Sequence, residues 1–237
     1  MNWLNEFAKE FPKRIGLPFG CFVRPNMVTE EYVKLLKESG CYSVYAAIES
    51  GNEVIRNSVL KRNMSNNMIF QAFDLFHKYN LKTASLNMLG LPDERYEDMI
   101  ATVKMNQKLN IDFAESSIFQ PHPGTEITKY CIDNGYLEAG KLREVKGTYS
   151  ETILNYDQKM KVRINILHKL FPFLVDHPEL NFIIPYLHFL RFFYLPLKFF
   201  YLFYWGYFLE KRIYPTKIPI KEKLKMGLKV IISKDKT

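Results

Sequence analysis

The sequence predicts an α/β fold with a parallel sheet in its first 150 residues, followed by an α-helical C-terminal region. Two observations carry this. Short apolar runs at 17–23, 42–48, 81–89 and 112–119 alternate with longer amphipathic stretches, and their spacing of roughly 30 residues is that of βα units. The run at 42–48 is also nearly continuous in apolar character, as expected of a strand buried on both faces.

Each element has its own local signals. The N-terminal stretch carries Glu6, Lys9, Glu10, Lys13 and Arg14; these suit a surface helix and not the apolar run of a signal peptide. A helix is expected after the N-cap Thr29, with Glu30 and Glu31 at its positive end and Gly40 closing it. Tyr32, Leu35 and Leu36 share its inner face. The next begins at the N-cap Ser65, buries Ile69, Phe73 and Phe76, and ends near Tyr79 and Asn80. A third spans about Arg95 to Leu109, with Met99, Ile100 and Val103 inward. Beyond Tyr156 the texture changes: 157–176 reads as one helix with Met160, Ile164, Leu167 and Phe171 on a face. The aromatic stretch 181–209, broken by Pro185 and Pro196, reads as packed or interfacial helices and not a membrane span. Residues 211–237 form a basic tail. The domain boundary is placed near 146–155, giving units 1–150 and 151–237.

The net charge of +8 is unevenly spread. Residues 1–150 balance 18 Lys/Arg against 18 Asp/Glu, whereas 151–237 carry 15 against 7. No nucleic-acid motif accompanies this excess, and an anionic membrane surface met through 181–237 is the expected partner. Three cysteines, Cys21, Cys41 and Cys131, form no CxxC or CxxxC pair. An odd count argues against a disulfide framework and for a reducing compartment, so the expectation is a cytoplasmic chain, peripheral to the membrane. GxGxxG, HExxH, GxSxG and a complete Walker-type GxxxxGK(S/T) are all missing, since Leu142 follows Gly140-Lys141, and the five histidines show no metal-site spacing.

Ligands of parallel α/β folds gather at the C-terminal ends of strands. Four segments fall there: 21–25 (CFVRP), 48–53 (IESGNE), 87–94 (NMLGLPDE) and 119–126 (FQPHPGTE). Singly, each has an ordinary structural explanation: a helix-start carboxylate at Glu49, a turn at Ser50-Gly51, a strand exit at Gly90–Pro92, a rigid loop whose Thr125 caps a helix. Arg24 reads equally as a surface residue of an X-Pro turn or as a substrate contact.

Together these segments resemble the radical S-adenosylmethionine (SAM) superfamily. AAIESGNEVIR at 46–56 is similar to the exit of that family's fourth strand, NMLGLPDE at 87–94 to its fifth, and FQPHPGTEI at 119–127 to its sixth. The linking VLKRNMS at 59–65 also fits. The resemblance covers 17–137 and is nearest the branch whose larger members carry a cobalamin-binding domain. It implies a partial (β/α) barrel of the radical SAM type with about four parallel strands, and reductive cleavage of SAM to a 5′-deoxyadenosyl radical for methyl transfer or other radical chemistry. It implies that Glu49, with Ser50, meets the adenosyl ribose and that Lys61 or Arg62 pairs with the methionine carboxylate. Arg62 is favoured for its two-pronged match. Gly90 lets the backbone approach the adenine, Leu91 and Pro92 wall it, and Glu94 holds the turn. Arg24, Pro121, His122, Gly124 and Thr125 are the substrate-side candidates.

The sequence departs from the family pattern at Asp93 and Arg95, which replace Gly and Thr, and at His122, which replaces Tyr. It also lacks the family's CxxxCxxC, whose thiolates hold the [4Fe-4S] cluster, and any D-x-H-x-x-G cobalamin signature. The expectation is therefore a chain that is inactive alone: a fragment or split subunit completed by a complementary chain carrying the cluster half, with cobalamin reached only through a further domain. The alternatives are a non-catalytic, degenerate half barrel acting as a binding or membrane-surface scaffold, and a truncated product without a function of its own.

Overall fold

A computed structural model describes residues 2–144, 147, 151–215, 217, 219, 221 and 222. Helix α1 (Asn2–Arg14) leads into strand β1 (Phe19–Val23), and α2 (Glu30–Glu38) into β2 (Cys41–Glu49). Next come a short helix α3 (Glu53–Ser58), α4 (Asn66–Lys78), β3 (Lys82–Leu89), α5 (Tyr96–Lys108), β4 (Phe113–Ile118) and α6 (Glu126–Asp133). Helix α7 (Gln158–Asp176) is followed by a 3-10 run Pro178–Phe193 that passes directly into α8 (Tyr194–Arg212).

The four strands form one parallel sheet in the order β1-β2-β3-β4. Each crossover carries a helix, the connection parallel strands require. The local signals act where the sequence places them. The hydroxyls of Thr29, Ser65 and Thr125 accept from Tyr32, Met68 and Thr128 N–H, and Asp157 does the same for Met160 at the start of α7.

One sheet face is covered by helices. Val44, Ala46 and Ile48 pack with Val33, Leu36, Ile69 and Phe73 from α2 and α4. Leu89, Ala114 and Ile118 pack with Met99 and Val103 of α5 and Ile164, Leu167 and Phe171 of α7. The C-terminal region thus shares the core of the sheet across the boundary expected at 146–155. The other face carries a row across all four strands, Phe22–Tyr45–Ala84–Phe113. The end of α8 covers part of that row with Trp205, Phe208, Leu209 and Ile213, while Phe22 is 76% exposed.

The aromatic stretch is not broken where its prolines suggested. Pro185 lies within the 3-10 run, where its missing N–H removes one bond without ending the run, and Pro196 lies in the first turn of α8. Pro178–Arg212 is therefore one helical run, long and apolar enough by length and composition to cross a membrane. Most of the tail expected at 211–237 lies outside the described residues.

Candidate functional site at the strand ends

Glu49 ends β2 and is the centre of the site. Ser50 N–H donates to Ile48 O at 3.0 Å, closing a three-residue turn with Glu49 at its middle, at φ 70. A non-glycine residue held there stores strain of about 1–3 kcal/mol, a feature that clusters at functional sites. The register irregularity between Ala47 and Glu49 accompanies the turn. The Glu49 side chain is 8% exposed and receives the guanidinium of Arg62. Burial pushes its carboxyl up, while Arg62 and then Arg24 pull it down without reversing the shift.

Arg62 arrives from the loop between α3 and α4. Its neighbour Lys61 faces away, with Nζ donating to Glu126 Oε2 at 2.6 Å. The two cations that the sequence left as alternatives are thus separated by a left-handed backbone at Lys61, φ 51. Arg24, just past β1, donates from Nη2 to Arg62 O at 3.5 Å. Two guanidiniums and one buried carboxylate meet at the ends of β1 and β2.

The second part of the site is the turn after β3. Gly90 sits at φ 75, and a Cβ there would meet Ile164 Cδ1 at 3.1 Å. Gly90 and Leu91 N–H both donate to Glu94 Oε2, at 2.8 and 3.0 Å. Ser50 Oγ donates to Glu94 Oε1 at 3.4 Å, which ties the β2 exit to the β3 exit. Burial, outweighing these bonds, pushes Glu94 up to about 8. Leu91 is fully buried, Pro92 is buried, and Tyr156 O–H donates to Leu91 O. Asp93, standing where the family pattern has Gly, adopts φ 63, a conformation Asp tolerates better than most residues. Its carboxylate accepts from Tyr130 and Tyr136 O–H.

The loop after β4 holds Pro121 buried and His122, Gly124 and Thr125 exposed. His122 O accepts from Thr125 and Thr128 hydroxyls at 2.9 and 2.7 Å, so its carbonyl builds the loop while its ring points outward. The Lys61–Glu126 pair joins this loop to the 61–62 segment. Ser50, in contrast, is fully buried; its hydroxyl also accepts from Asn52 N–H at 3.2 Å, which makes it a brace between the exits.

Arg56 had no assigned role from sequence, though it lies within the 46–56 segment. It is fully buried and donates to Ser50 O, Met64 O and Asn66 Oδ1 at 2.7, 3.0 and 2.6 Å. One side chain thus fixes both ends of the loop that carries Arg62. The signal for it was the Glu-Val-Ile-Arg helix start, but a single Arg on a short helix does not disclose what it spans. Asn52 caps α3 and donates to Asp98 Oδ1 at 2.8 Å. Gly51 lets the exit pass under α5, where a Cβ would lie 2.5 Å from Ala101 O.

The cysteines do not supply a cluster. Cys21 and Cys41 come within 3.8 Å of each other on adjacent strands, and Cys131 lies in a different core with Leu91 and Phe119. Among the described residues, no group of three or more His, Cys, Asp or Glu is placed to hold a metal ion. The thiolate set of a [4Fe-4S] centre does not fit the residues present.

The protein is thus a partial parallel (β/α) barrel with a strained, buried carboxylate and two guanidiniums at its strand ends. Residues 4–105 match the family described as the Radical SAM superfamily. Over that segment the chain is similar to the superfamily. It is 35% identical over 114 residues to an uncharacterized methyltransferase of Pyrococcus horikoshii, covering 48% of this chain and 25% of that protein. Two solved structures share the fold. Coproporphyrinogen III oxidase from Escherichia coli, a radical SAM enzyme, gives a TM-score of 0.53 at 16% identity, over 74% of this chain and 37% of that one. The radical SAM methyltransferase TsrM from Kitasatospora setae, with tryptophan and a SAM analogue bound, gives 0.51 at 18% identity, over 58% and 28%. The chain spans about a quarter of the methyltransferase it matches.

Proposed function

We propose that this chain provides the adenosyl-binding strand ends of a radical SAM methyltransferase of the branch associated with cobalamin. The observation that carries the reading is Glu49, strained and nearly buried at a strand end, with Arg62 on its carboxylate and Arg24 beside it. Glu49 is suited to accept both hydroxyls of a ribose. Arg62, released from Glu49, is suited to grip a carboxylate with two parallel N–H bonds. Glu49 with Arg62 and Arg24 sums to one positive charge, which favours the carboxylate of SAM. Gly90 to Pro92 offer a backbone edge and an apolar wall to a flat base, held by Glu94.

When bound to a cluster, SAM supplies the 5′-deoxyadenosyl radical chemistry of the superfamily. The cluster thiolates belong, on this reading, to residues outside this sequence, such as a complementary chain. The methyltransferase relative favours methyl transfer as the reaction class. The contribution of this chain is to bind and orient the nucleoside.

The test is binding, not turnover. Calorimetry of the full chain with SAM and with S-adenosylhomocysteine should give saturable binding, weakened about tenfold or more in Glu49→Gln and in Arg62→Met, the loss expected of a charge-assisted bond. No binding at millimolar ligand, or equal affinity in both variants, would sink the proposal.

A further inference from the structure

The helical run Pro178–Arg212 is two-sided. Its inner side is fixed to the α/β body. Ile184 is fully buried, and its carbonyl accepts from Tyr96 O–H at 2.8 Å. Tyr204 O–H donates to Asp176, and Arg212 Nη1 reaches Asp176 Oδ2 at 2.7 Å and Asp112 O at 3.1 Å. Away from these contacts it carries bare aromatic rings: Phe182, Phe189, Phe192, Phe199, Phe203 and Tyr207 are 70, 65, 79, 63, 68 and 47% exposed. Only 11% of the most apolar window of this run is buried. Soluble monomers rarely expose contiguous apolar surface on this scale.

We propose that this aromatic face docks on the surface of an anionic lipid bilayer, lying in the plane of the interface and not across it. Charge selects the occupant. Residues 180–209 contain no Asp or Glu but include Arg191 and Lys198, and 151–237 carry 15 Lys/Arg against 7 acids while 1–150 are balanced. Aromatic rings on one side with cations along and after them are the make-up of an interfacial helix, and each Lys or Arg near an anionic leaflet strengthens the attraction. The inner-side contacts decide the orientation. A spanning helix would have to abandon Tyr96, Asp176 and Asp112, whereas a helix lying flat keeps all of them.

The test uses the full chain in flotation with phosphatidylcholine vesicles, alone and mixed with phosphatidylglycerol. Retention should require the anionic lipid and fall steeply with salt. The triple variant Phe192→Glu, Phe199→Glu, Phe203→Glu alters only exposed rings, so its circular dichroism should match the parent while retention drops about tenfold or more. Phe192→Glu alone, with a smaller drop, guards against misfolding of the triple variant. Three results would overturn the proposal. The chain could stay in solution with anionic vesicles, self-associating through this face. Folded glutamate variants could bind as the parent does. Retention after alkaline carbonate washing would mean a spanning helix instead.

Discussion

Burial raises the Glu49 carboxyl although two guanidiniums stand beside it, and this tension matters for chemistry. A carboxylate whose charge is poorly solvated gains when ribose hydroxyls donate to it, so the site is poised for a neutral hydrogen-bond donor. Glu94 shows the same physics without a cation. It accepts two backbone N–H bonds and a hydroxyl, yet burial lifts it to about 8. The folded chain therefore keeps a proton that the unfolded chain, with a carboxyl near 4.3, has released. Stability must fall as pH rises from about 4.3 toward about 8, because the unfolded state binds fewer protons across that window. Glu94→Gln keeps an oxygen for both N–H groups and removes the titration. Urea denaturation of parent and variant from acid to mildly alkaline pH should show a flatter profile in Glu94→Gln, and identical slopes would refute the assignment. Glu94→Ala should lose about 1–3 kcal/mol at acid pH, where Glu94 is protonated in both states of the parent, by stranding two buried donors.

At the scale of elements, the exits of β2 and β3 are set by two glycines with different reasons. Gly90 needs the left-handed region and faces Ile164 of α7, whereas Gly51 needs the absence of a Cβ because the Ala101 backbone is 2.5 Å from where it would lie. Gly90→Ala is expected to cost about 1–2 kcal/mol from its backbone conformation alone. Gly51→Ala must push the exit away from α5, breaking the 2.8 Å bond from Gly51 N–H to Thr102 Oγ1 and costing about 1–3 kcal/mol. Urea midpoints check both. A Gly51→Ala protein as stable as the parent would mean the exit is not fixed by α5. The short helix α3 and its buried Arg56 serve the same end, since they fix the loop that brings Arg62 to Glu49.

At the scale of the molecule, α7 is part of the sheet's own core. Leu167 and Phe171 lie fully buried beside Leu89, Met99 and Ile118. Leu167→Ala should therefore destabilise the α/β body itself, by about 2–5 kcal/mol. A single unfolding transition shifted as a whole is the expected calorimetric result. Two transitions, with only one moved, would make α7 and the helical run after it a separate unit. The aromatic face of the 178–212 run is likewise a property of the assembled molecule, because burial of one side is what leaves the other side bare.

The alternation of strands and helices, and much of the capping, is legible in the chain alone, because these depend on neighbours a few residues apart. Thr29, Ser65 and Thr125 cap where their spacing to the following N–H predicts. The four strand-end segments were legible for the same reason, as was the family resemblance. Which cation meets Glu49 was settled only by the packed fold: Lys61 and Arg62 are adjacent and chemically eligible, and the φ 51 turn at Lys61 sends them apart. Packing also decided that Ser50 braces Glu94, that Cys21 meets Cys41 across 20 residues, and that Pro196 sits in the first turn of a helix instead of breaking one. The physical reason is one of range. Periodicity and caps are written within a single turn of chain, whereas pairing of side chains far apart in sequence depends on how the sheet sets its strand ends side by side.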